Sequence, residues 1–344
     1  MGSKTTANGG RAGIREVAQQ AGVGIASVSR VLSGQPGVSP QMAERVLHAA
    51  RELGYVPNAL AQNLRRRSTR TVGFVCSDIT NPLLASIVSG AESVLSAAGY
   101  SVLLTNSGGD AHVDAQRIEV LLQRQVDGLI LLPALEDDAA TLAVLAATEA
   151  PFVVIDRSLP QALLADAVLS DHYRGVGEAA RALLDGGHRR LGLVVGRDVR
   201  PSRERINAVR DAYTAAGLEP DVLIEPGTLS VEHGSQALQR LLASPRPPTA
   251  VILGGNQLLE GALAVIKQHR LALGTQLSLV CCDDVPLGRL HEPPIATVMR
   301  DTGLLGKRAA ERLLEQLGQR QGAEHILLPT WFEWRGSCGP LPKG

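Results

Sequence analysis

Near the N-terminus, apolar residues recur at helical spacing and are interrupted by glycine. Ile14, Val17, Ala18 and Ala21 would lie on one face of a first helix, and Gly22 breaks the run. A second amphipathic segment begins near residue 24, and its inner face would carry Val28, Val31 and Leu32. Two short helices joined by a tight glycine turn form a helix-turn-helix, whose second helix can lie in a DNA major groove.

A third helix is predicted after Ser39, because serine is a favoured N-cap and Pro40 occupies the favoured first helical position. It would end at Gly54 and complete a small core. The basic segment 58–67 can form a helix, but it is shorter than the roughly 12 residues that an isolated helix needs in water. We expect it to fold only against a partner or on DNA. The composition of residues 1–13, which is rich in Gly, Thr and Ser, predicts a disordered tail.

From Thr71 onward, short apolar runs alternate with helical patterns. The runs predict strands buried on both faces, at 74–76, 102–104, 128–132, 152–155, 191–195, 222–224, 251–253 and 277–281. Helices are predicted between them, at 84–98, 115–124, 139–147, 175–185, 203–216, 231–243 and 258–267. The alternation indicates doubly wound parallel sheets in two lobes. The cleft beyond the carboxyl ends of the strands is then the expected ligand site.

The composition changes this picture little. The 344 residues are 44% hydrophobic and 20% charged, which is ordinary for a globular protein of two or three domains. No apolar run approaches the roughly 20 residues of a membrane span, and the N-terminus lacks the apolar core of a signal peptide, so we expect a cytoplasmic protein with no membrane partner. The four cysteines lack zinc-ligand spacing. Adjacent Cys281 and Cys282 would form either a vicinal disulfide or, more commonly at a buried strand end, reduced thiols.

The distribution of charge is more informative than its total, which is zero. Residues 1–70 contain ten Lys and Arg against three Glu, a net charge of +7, which leaves −7 on the remaining 274 residues. A basic head on an acidic body indicates nucleic-acid binding, because neutralisation of phosphates supplies most of the sequence-independent affinity for DNA.

The stretch 14–34, followed by Arg51–Ala61, resembles the LacI/GalR family of bacterial transcription regulators, and the resemblance runs nearly end to end. Further landmarks of that family match Asp78–Pro82, Val126–Ile130, Ile155–Arg157, Gly186–Gly192 and Asp283–Asp284. The resemblance implies a homodimer, a hinge helix and a two-lobed domain similar to periplasmic sugar-binding proteins.

The resemblance also implies domain boundaries. A helix-turn-helix DNA-binding domain is expected at 14–57, a hinge helix and linker at 58–70, and an effector-binding and dimerisation domain at 71–338. The first lobe of that domain would comprise about 71–166 and 297–322, and the second about 167–296 and 323–338.

Five residues of the second helix match family positions at the DNA. Ile25, Ala26 and Arg30 match positions that face base edges, whereas Ser27 and Ser29 match positions that mainly contact phosphates. Arg30 can pair with guanine, and serine hydroxyls can bond phosphate. Ile25 and Ala26 can only pack, for example on a thymine methyl group. Alternatively, Ile25 folds back onto the small core.

The hinge segment supplies the other predicted DNA contacts, Asn58, Leu64 and Arg65. Leu64 matches the leucine that the family inserts between base pairs in the minor groove, where an apolar wedge bends DNA. The alternatives are a linker leucine that covers the body and, for Arg65–Arg67, a solvated basic run instead of phosphate clamps. A marginal helix between the DNA reader and the lobes would couple lobe closure to DNA binding.

In the body, Asp156, Arg157, Arg205 and Asp283 resemble cleft positions that hydrogen-bond polar effectors. Weaker candidates are Asn106, Arg203 and Asn256. Carboxylates and guanidinium groups that converge in a cleft suit hydroxyl-rich or anionic ligands. The alternative for each residue is a buried structural ion pair.

The cleft departs from the family pattern in three places. Where many relatives have Asn-Asp, this chain has Gly255-Asn256, which removes a carboxylate. Asn81–Leu84 stands where Asn-Pro-Phe-Phe is common and lacks its rings, and Asp171-His172 stands where Asp-Asn is common. These departures leave open a ligand other than an ordinary sugar, or weak binding.

Catalysis is disfavoured by the motifs. The chain has no G-x-G-x-x-G after its first strand, no Walker A lysine loop and no G-x-S-x-G elbow, and its histidines lack metal-ligand spacing. We therefore expect no enzyme activity, cofactor or metal. The sequence predicts a transcription regulator, specifically a repressor, that binds a pseudo-palindromic operator as a homodimer under control of a small polar effector such as a sugar. The alternative is a cytoplasmic sugar- or metabolite-binding protein without regulatory DNA binding.

Overall fold

The computed structural model of the protein describes residues 12–32, 37–55, 68–319 and 322–341. The predicted hinge residues Asn58, Leu64 and Arg65 lie outside the described residues. The chain divides into two compact units, Met1–Thr69 and Arg70–Gly344. We refer to them as the head and the body.

The head contains the three predicted helices, α1 (Ile14–Ala21), α2 (Ile25–Leu32) and α3 (Pro40–Glu52). Gly22 ends α1 in the left-handed conformation, with φ of 62°, which glycine adopts at little cost. The Ser39 hydroxyl caps α3 by accepting a hydrogen bond from the backbone N–H of Met42 at 3.3 Å. Val17, Val28 and Val46 are fully buried where the helices meet.

The body is built from strands and helices in alternation. The strands are β1 (Thr71–Cys76), β2 (Ser101–Asn106), β3 (Gly128–Leu131), β4 (Phe152–Ile155), β5 (Asp166–Ser170), β6 (Leu191–Val195), β7 (Val222–Pro226), β8 (Ala250–Leu253), β9 (Ser278–Cys282), β10 (Ala296–Arg300), β11 (His325–Leu328) and β12 (Thr330–Glu333). The helices are α4 (Pro82–Ala97), α5 (Ala111–Gln123), α6 (Ala139–Ala147), α7 (His172–Asp185), α8 (Arg200–Ala215), α9 (Val231–Leu242), α10 (Gln257–His269), α11 (Pro286–Leu290) and α12 (Thr302–Gly318). None of these described helices is long and apolar enough to cross a membrane.

The strands form two six-stranded sheets, one in each lobe. The first has the order β11-β5-β4-β3-β1-β2 and is entirely parallel, and the second has the order β12-β10-β9-β8-β6-β7 with only β12 antiparallel. Helices cover both faces, so the central strands are buried throughout. This confirms the predicted fold of two doubly wound lobes.

The expected boundaries between the lobes differ from the observed sheets at three strands. β5 and β11 belong to the first sheet, although residues from 167 and from 323 were expected in the second lobe. β10 belongs to the second sheet, although residues from 297 were expected in the first. The reason is strand pairing: β5 pairs with β4 and β11, and β10 pairs with β9, and the hydrophobicity of a segment does not specify which sheet it joins. The chain therefore crosses between lobes after Ser170, after Arg300 and between β11 and β12.

Close helix packing fixes one side of the first lobe. α12 crosses α4 at Gly306, where a Cβ atom would lie 1.9 Å from the carbonyl oxygen of Ile87. Only glycine permits this approach without moving a helix.

The four cysteines are buried and unpaired with one another, so Cys281 and Cys282 are thiols, as the simpler of the two sequence interpretations predicted.

Candidate DNA-reading surface and ligand cleft

The outer face of α2 carries the residues predicted to read DNA. Ile25, Ala26 and Arg30 are exposed, and Ser27 and Ser29 are partly exposed. Ile25 is 43% exposed and does not belong to the apolar core of the head, so it does not fold back as the alternative required. Helical periodicity explains the arrangement, because burial of Val28 turns the opposite face of α2 outward.

A cleft of about 870 Å³ opens in the body, and both sheets present the carboxyl ends of their strands to it. Asp78 follows β1, Asp156 and Arg157 follow β4, and Asp283 follows β9. Parallel strands of one sheet end at the same edge, which is why residues far apart in sequence converge here. Arg205 enters the cleft from the first turns of α8.

One buried arginine joins the two predicted carboxylates. Arg300, at the end of β10, donates from Nε to Oδ1 of Asp283 at 2.6 Å and from Nη2 to Oδ2 at 3.3 Å. Its Nη1 donates to Oδ2 of Asp156 and, at 3.1 Å, to the hydroxyl of Ser170. Because Asp156 and Ser170 belong to the first lobe and Arg300 to the second, this guanidinium ties the lobes together.

The second Asp156 oxygen is also occupied, since Oδ1 accepts the backbone N–H of Ser170 at 2.6 Å. Burial raises the pKa of the Asp156 carboxyl, but the interactions with His172 and Arg300 and the hydrogen bond from the Ser170 N–H outweigh burial and bring this pKa well below its usual value. Burial lowers the pKa of Arg300, whereas the two carboxylates raise it by more. The group is therefore a fixed ionic cluster at neutral pH.

His172 connects this cluster to Arg205. The Nη2 of Arg205 lies 3.2 Å from Nδ1 of His172, and arginine can only donate, so Nδ1 accepts. Burial, followed by the nearby charge of Arg205, lowers the pKa of His172 to about 4, which makes the ring neutral at pH 7. A neutral ring that accepts at Nδ1 carries its proton on Nε2, which faces Oδ2 of Asp156 at 3.4 Å.

Arg205 is the least compensated of the buried charges in the cleft. It is only 4% exposed, and its Nε has no hydrogen-bond partner among the described residues. No described carboxylate forms an ion pair with it, in contrast to the doubly paired Arg300. Burial of an incompletely paired guanidinium is costly, so the position favours a ligand that supplies acceptors.

Two of the other predicted cleft residues are held by the protein. Arg157 lines the cleft but donates to the carbonyl oxygens of Pro133 and Asp156, at 2.7 and 2.9 Å. Asn256 also lines the cleft, and its amide donates across it to Oδ1 of Asn81 at 2.9 Å. Both side chains therefore have structural hydrogen bonds, although neither forms an ion pair among the described residues.

Two candidates do not lie on the cleft surface. Asn106 ends β2, where its side-chain oxygen accepts the backbone N–H of Ile79 at 3.2 Å, so it orders the loop after β1. Arg203 points away and pairs with Glu136 and Asp198. Sequence position placed both near the correct strand or helix end but could not give the direction of the side chain.

Glu136 forms a second bridge between the lobes. It lies in the loop after β3 of the first lobe, is 7% exposed, and accepts from the backbone N–H of Ser158 at 2.8 Å. It also accepts from the backbone N–H of Arg200 at 3.0 Å and pairs with Arg203, both in α8 of the second lobe. A carboxylate at a helix N-terminus is favoured because it satisfies a free N–H and interacts well with the helix dipole.

Arg300 and Glu136 were not predicted from the sequence, and His172 was noted there only as a departure from the family pattern. A charged residue at the end of a strand was the available signal for Arg300, but β10 itself was not predicted. Glu136 follows β3 in an acidic, proline-containing loop that reads as an ordinary surface connection.

A three-helix head with an exposed reading helix, joined to a two-lobed body with a polar cleft, defines a DNA-binding protein that is built to respond to a ligand. The comparisons with known proteins agree. Residues 13–58 match the bacterial regulatory proteins of the lacI family, and residues 180–338 match a periplasmic binding protein-like domain. The chain belongs to the LacI family and is a sequence-specific DNA-binding transcription regulator.

Similar proteins include two repressors. The ribose operon repressor of Haemophilus influenzae is 31% identical over 307 residues, 88% of this chain and 91% of that protein. The HTH-type transcriptional repressor CytR of Escherichia coli is 31% identical over 336 residues, 96% of this chain and 97% of that protein. These relatives are repressors and not enzymes, and the match to the DNA-binding region disfavours a binding protein without regulatory DNA binding.

Solved structures of related proteins have the same fold. The lac repressor dimer bound to operator and the anti-inducer ONPF superposes with a TM-score of 0.84 at 27% identity, covering 97% of this chain and 100% of that one. The transcriptional regulator CelR in complex with cellobiose superposes with a TM-score of 0.72 at 30% identity, covering 95% and 100%.

Proposed function

We propose that this protein is a repressor that binds its operator as a homodimer and that a small effector in the cleft of the body controls its affinity for DNA. The observation that carries the proposal is the cluster of Asp156, Arg300 and Asp283. Its members come from both lobes and meet at the cleft, so a ligand that contacts them more favourably in one arrangement of the lobes stabilises that arrangement.

The relatives support this proposal. The lac repressor structure contains a dimer on operator together with a small molecule, and the CelR structure contains cellobiose. In the head, exposed Ile25 and Ala26 offer apolar contacts and Arg30 offers base-edge donors. We also propose that the hinge residues Asn58, Leu64 and Arg65 contact the operator DNA. The protein is proposed to act in the cytoplasm.

Footprinting of the full-length protein on its own upstream DNA tests the proposal. A protected pseudo-palindrome whose protection changes when a cleft ligand is added is the expected result. The variant Asp283→Ala should keep the footprint and lose the response to ligand. Protection without sequence preference, or an unchanged response in Asp283→Ala, would contradict the proposal.

A further inference from the structure

The cleft has a different balance of donors and acceptors from the one that its carboxylates suggest. Asp156 and Asp283 would be natural acceptors for the hydroxyl groups of a sugar. Each of these oxygens already accepts a hydrogen bond from the protein, because Arg300 donates to both oxygens of Asp283 and to one of Asp156, and Ser170 donates to the other. Fewer lone pairs therefore remain for ligand hydroxyl groups, whereas Arg205 keeps a donor without a partner among the described residues.

The charged groups that line the cleft balance formally, because Arg157, Arg197, Arg205 and Arg300 are opposed by Asp78, Asp156, Asp283 and Glu260 and His172 is neutral. Arg205 is set apart among them, because no described carboxylate forms an ion pair with it and its Nε has no hydrogen-bond partner among the described residues, whereas Asp156 and Asp283 both pair with Arg300. Asp78 accepts from Gln257 at 2.7 Å, and Arg197 donates to the carbonyl of Gly109, while exposed charges such as Glu260 are screened by salt.

The wall of the cleft is apolar without being aromatic. Leu229, Val231 and Leu287 are 36%, 44% and 46% exposed, and all three line the cleft. None of the described residues that line it is Phe, Tyr or Trp. Exposed aliphatic side chains grouped in one cleft favour an apolar ligand surface. They offer no ring on which a sugar could stack.

We propose that the cleft binds a small amphipathic anion, whose carboxylate or phosphate group pairs with Arg205 and whose apolar part packs on Leu229, Val231 and Leu287. An anionic oxygen would supply the acceptor that Arg205 lacks, and a bidentate contact with guanidinium is the strongest form of this pairing. His172 is then a positioning residue, because its Nδ1 holds Nη2 of Arg205 in place. The inference rests on the proposed function, since it takes this cleft to be the effector site.

Thermal unfolding of the full-length protein with matched pairs of probes tests the proposal. The pairs are hexanoate with hexanamide, gluconate with glucose, and ribose 5-phosphate with ribose, all at equal ionic strength. Hexanoate should raise the melting temperature by about 2 °C or more above hexanamide, because a ligand that binds only the folded state stabilises it. The second and third pairs distinguish a carboxylate from a phosphate as the preferred head group.

Variants assign any shift to the proposed contacts. Arg205→Gln should abolish the difference between acid and neutral probe, and Leu229→Ser should weaken hexanoate about threefold or more in Kd. Arg174→Gln, an exposed arginine on α7 that pairs with Glu178, is the matched control and should respond like the wild type. Circular dichroism of each variant checks folding, and Arg205→Lys, which keeps the charge, should retain part of the preference for acids.

Several outcomes would overturn the proposal. They are equal shifts from the acid and neutral members of every pair, shifts from glucose or ribose alone, and an acid preference that survives Arg205→Gln. A response to gluconate with none to hexanoate would overturn the apolar part. Operator binding separates this inference from the proposed function. Release of operator by ribose or glucose would support the proposed function and contradict the anionic ligand. Binding of an acid without any effect on operator affinity would support the anionic ligand and contradict the proposed function.

Discussion

Asp156 and Asp283 occupy equivalent positions in the two lobes and share the guanidinium of Arg300. Each directly follows an inner strand, adopts a positive φ of 50° or 73°, and donates its backbone N–H at 3.0 Å to the strand that precedes a lobe crossing. Aspartate tolerates this left-handed conformation better than most residues do. The two lobes thus contribute matching carboxylates, and a single arginine of the second lobe pairs with both.

The first prediction concerns this shared guanidinium. Arg300→Gln should lower the free energy of unfolding by about 3–5 kcal/mol, because it leaves two buried carboxylates without their common partner. Urea denaturation measures the effect. The control Arg174→Gln removes an exposed helical pair with Glu178 and should change stability by less than about 0.5 kcal/mol. Equal effects of the two variants would show that the buried cluster does not stabilise the fold.

Protonation of His172 predicts a pH dependence of stability. Its pKa is lowered by burial from 6.5 in the unfolded chain to about 4 in the folded protein. As pH falls from 6.5 to 4, His172 becomes protonated in the unfolded chain but stays neutral in the folded protein. Its contribution to the free energy of unfolding is therefore fully present above pH 6.5 and is lost as pH falls to 4. The loss amounts to about 3 kcal/mol.

The variant His172→Gln isolates this contribution, because other groups titrate in both proteins. They include His188, whose pKa is also lowered by burial. The difference in unfolding free energy between wild type and variant should change between pH 6.5 and 4 and stay constant from pH 7 to 8. A difference that is independent of pH would mean that His172 is not held neutral.

The Glu136 bridge predicts a change in lobe closure. Glu136→Ala removes the acceptor for Arg200 and Arg203 across the lobes, and hydrogen bonds to charged groups contribute about 1.5–3 kcal/mol each. The population of open body should therefore increase at least about tenfold, which small-angle X-ray scattering would detect as a larger radius of gyration. Asp198→Ala is the control, since it removes only an exposed partner of Arg203 within the same lobe. An unchanged radius for Glu136→Ala would contradict the bridge.

In the head, Arg30→Gln should relax the preference for one base pair in each half-site. The expected cost on the preferred operator is about 1–3 kcal/mol, which is typical of a bidentate contact with guanine. Competition binding with operators altered at single positions measures it. A uniform loss of affinity across all sequences would instead identify Arg30 as a phosphate contact.

The hinge prediction rests on sequence alone. Leu64→Ala should remove specific operator binding and DNA bending and leave thermal unfolding nearly unchanged, because a wedge residue acts only on the DNA. A gel-shift assay with circularly permuted operator fragments measures affinity and bend together. Full affinity and bend in this variant would reject the wedge and favour a linker leucine.

The sequence by itself determined the head, the number of lobes and the central strands. Helical spacing, a serine cap and Gly22 gave α1–α3, and apolar runs gave the buried parallel strands, because both signals arise from neighbours along the chain. Asp156, Arg157 and Asp283 were predicted in the cleft from the family resemblance, and they follow such strands closely in the sequence.

Only the tertiary structure decided how these residues are used. β5 joins its sheet by pairing with β4 and β11, and β10 joins its sheet by pairing with β9, and this pairing brings Arg300 between Asp156 and Asp283. Side-chain direction then separated Arg205, which points into the cleft, from Arg203 on the same helix, which points to Glu136. Electrostatic pairing depends on distances of a few ångströms in space, and spacing along the sequence does not contain that information.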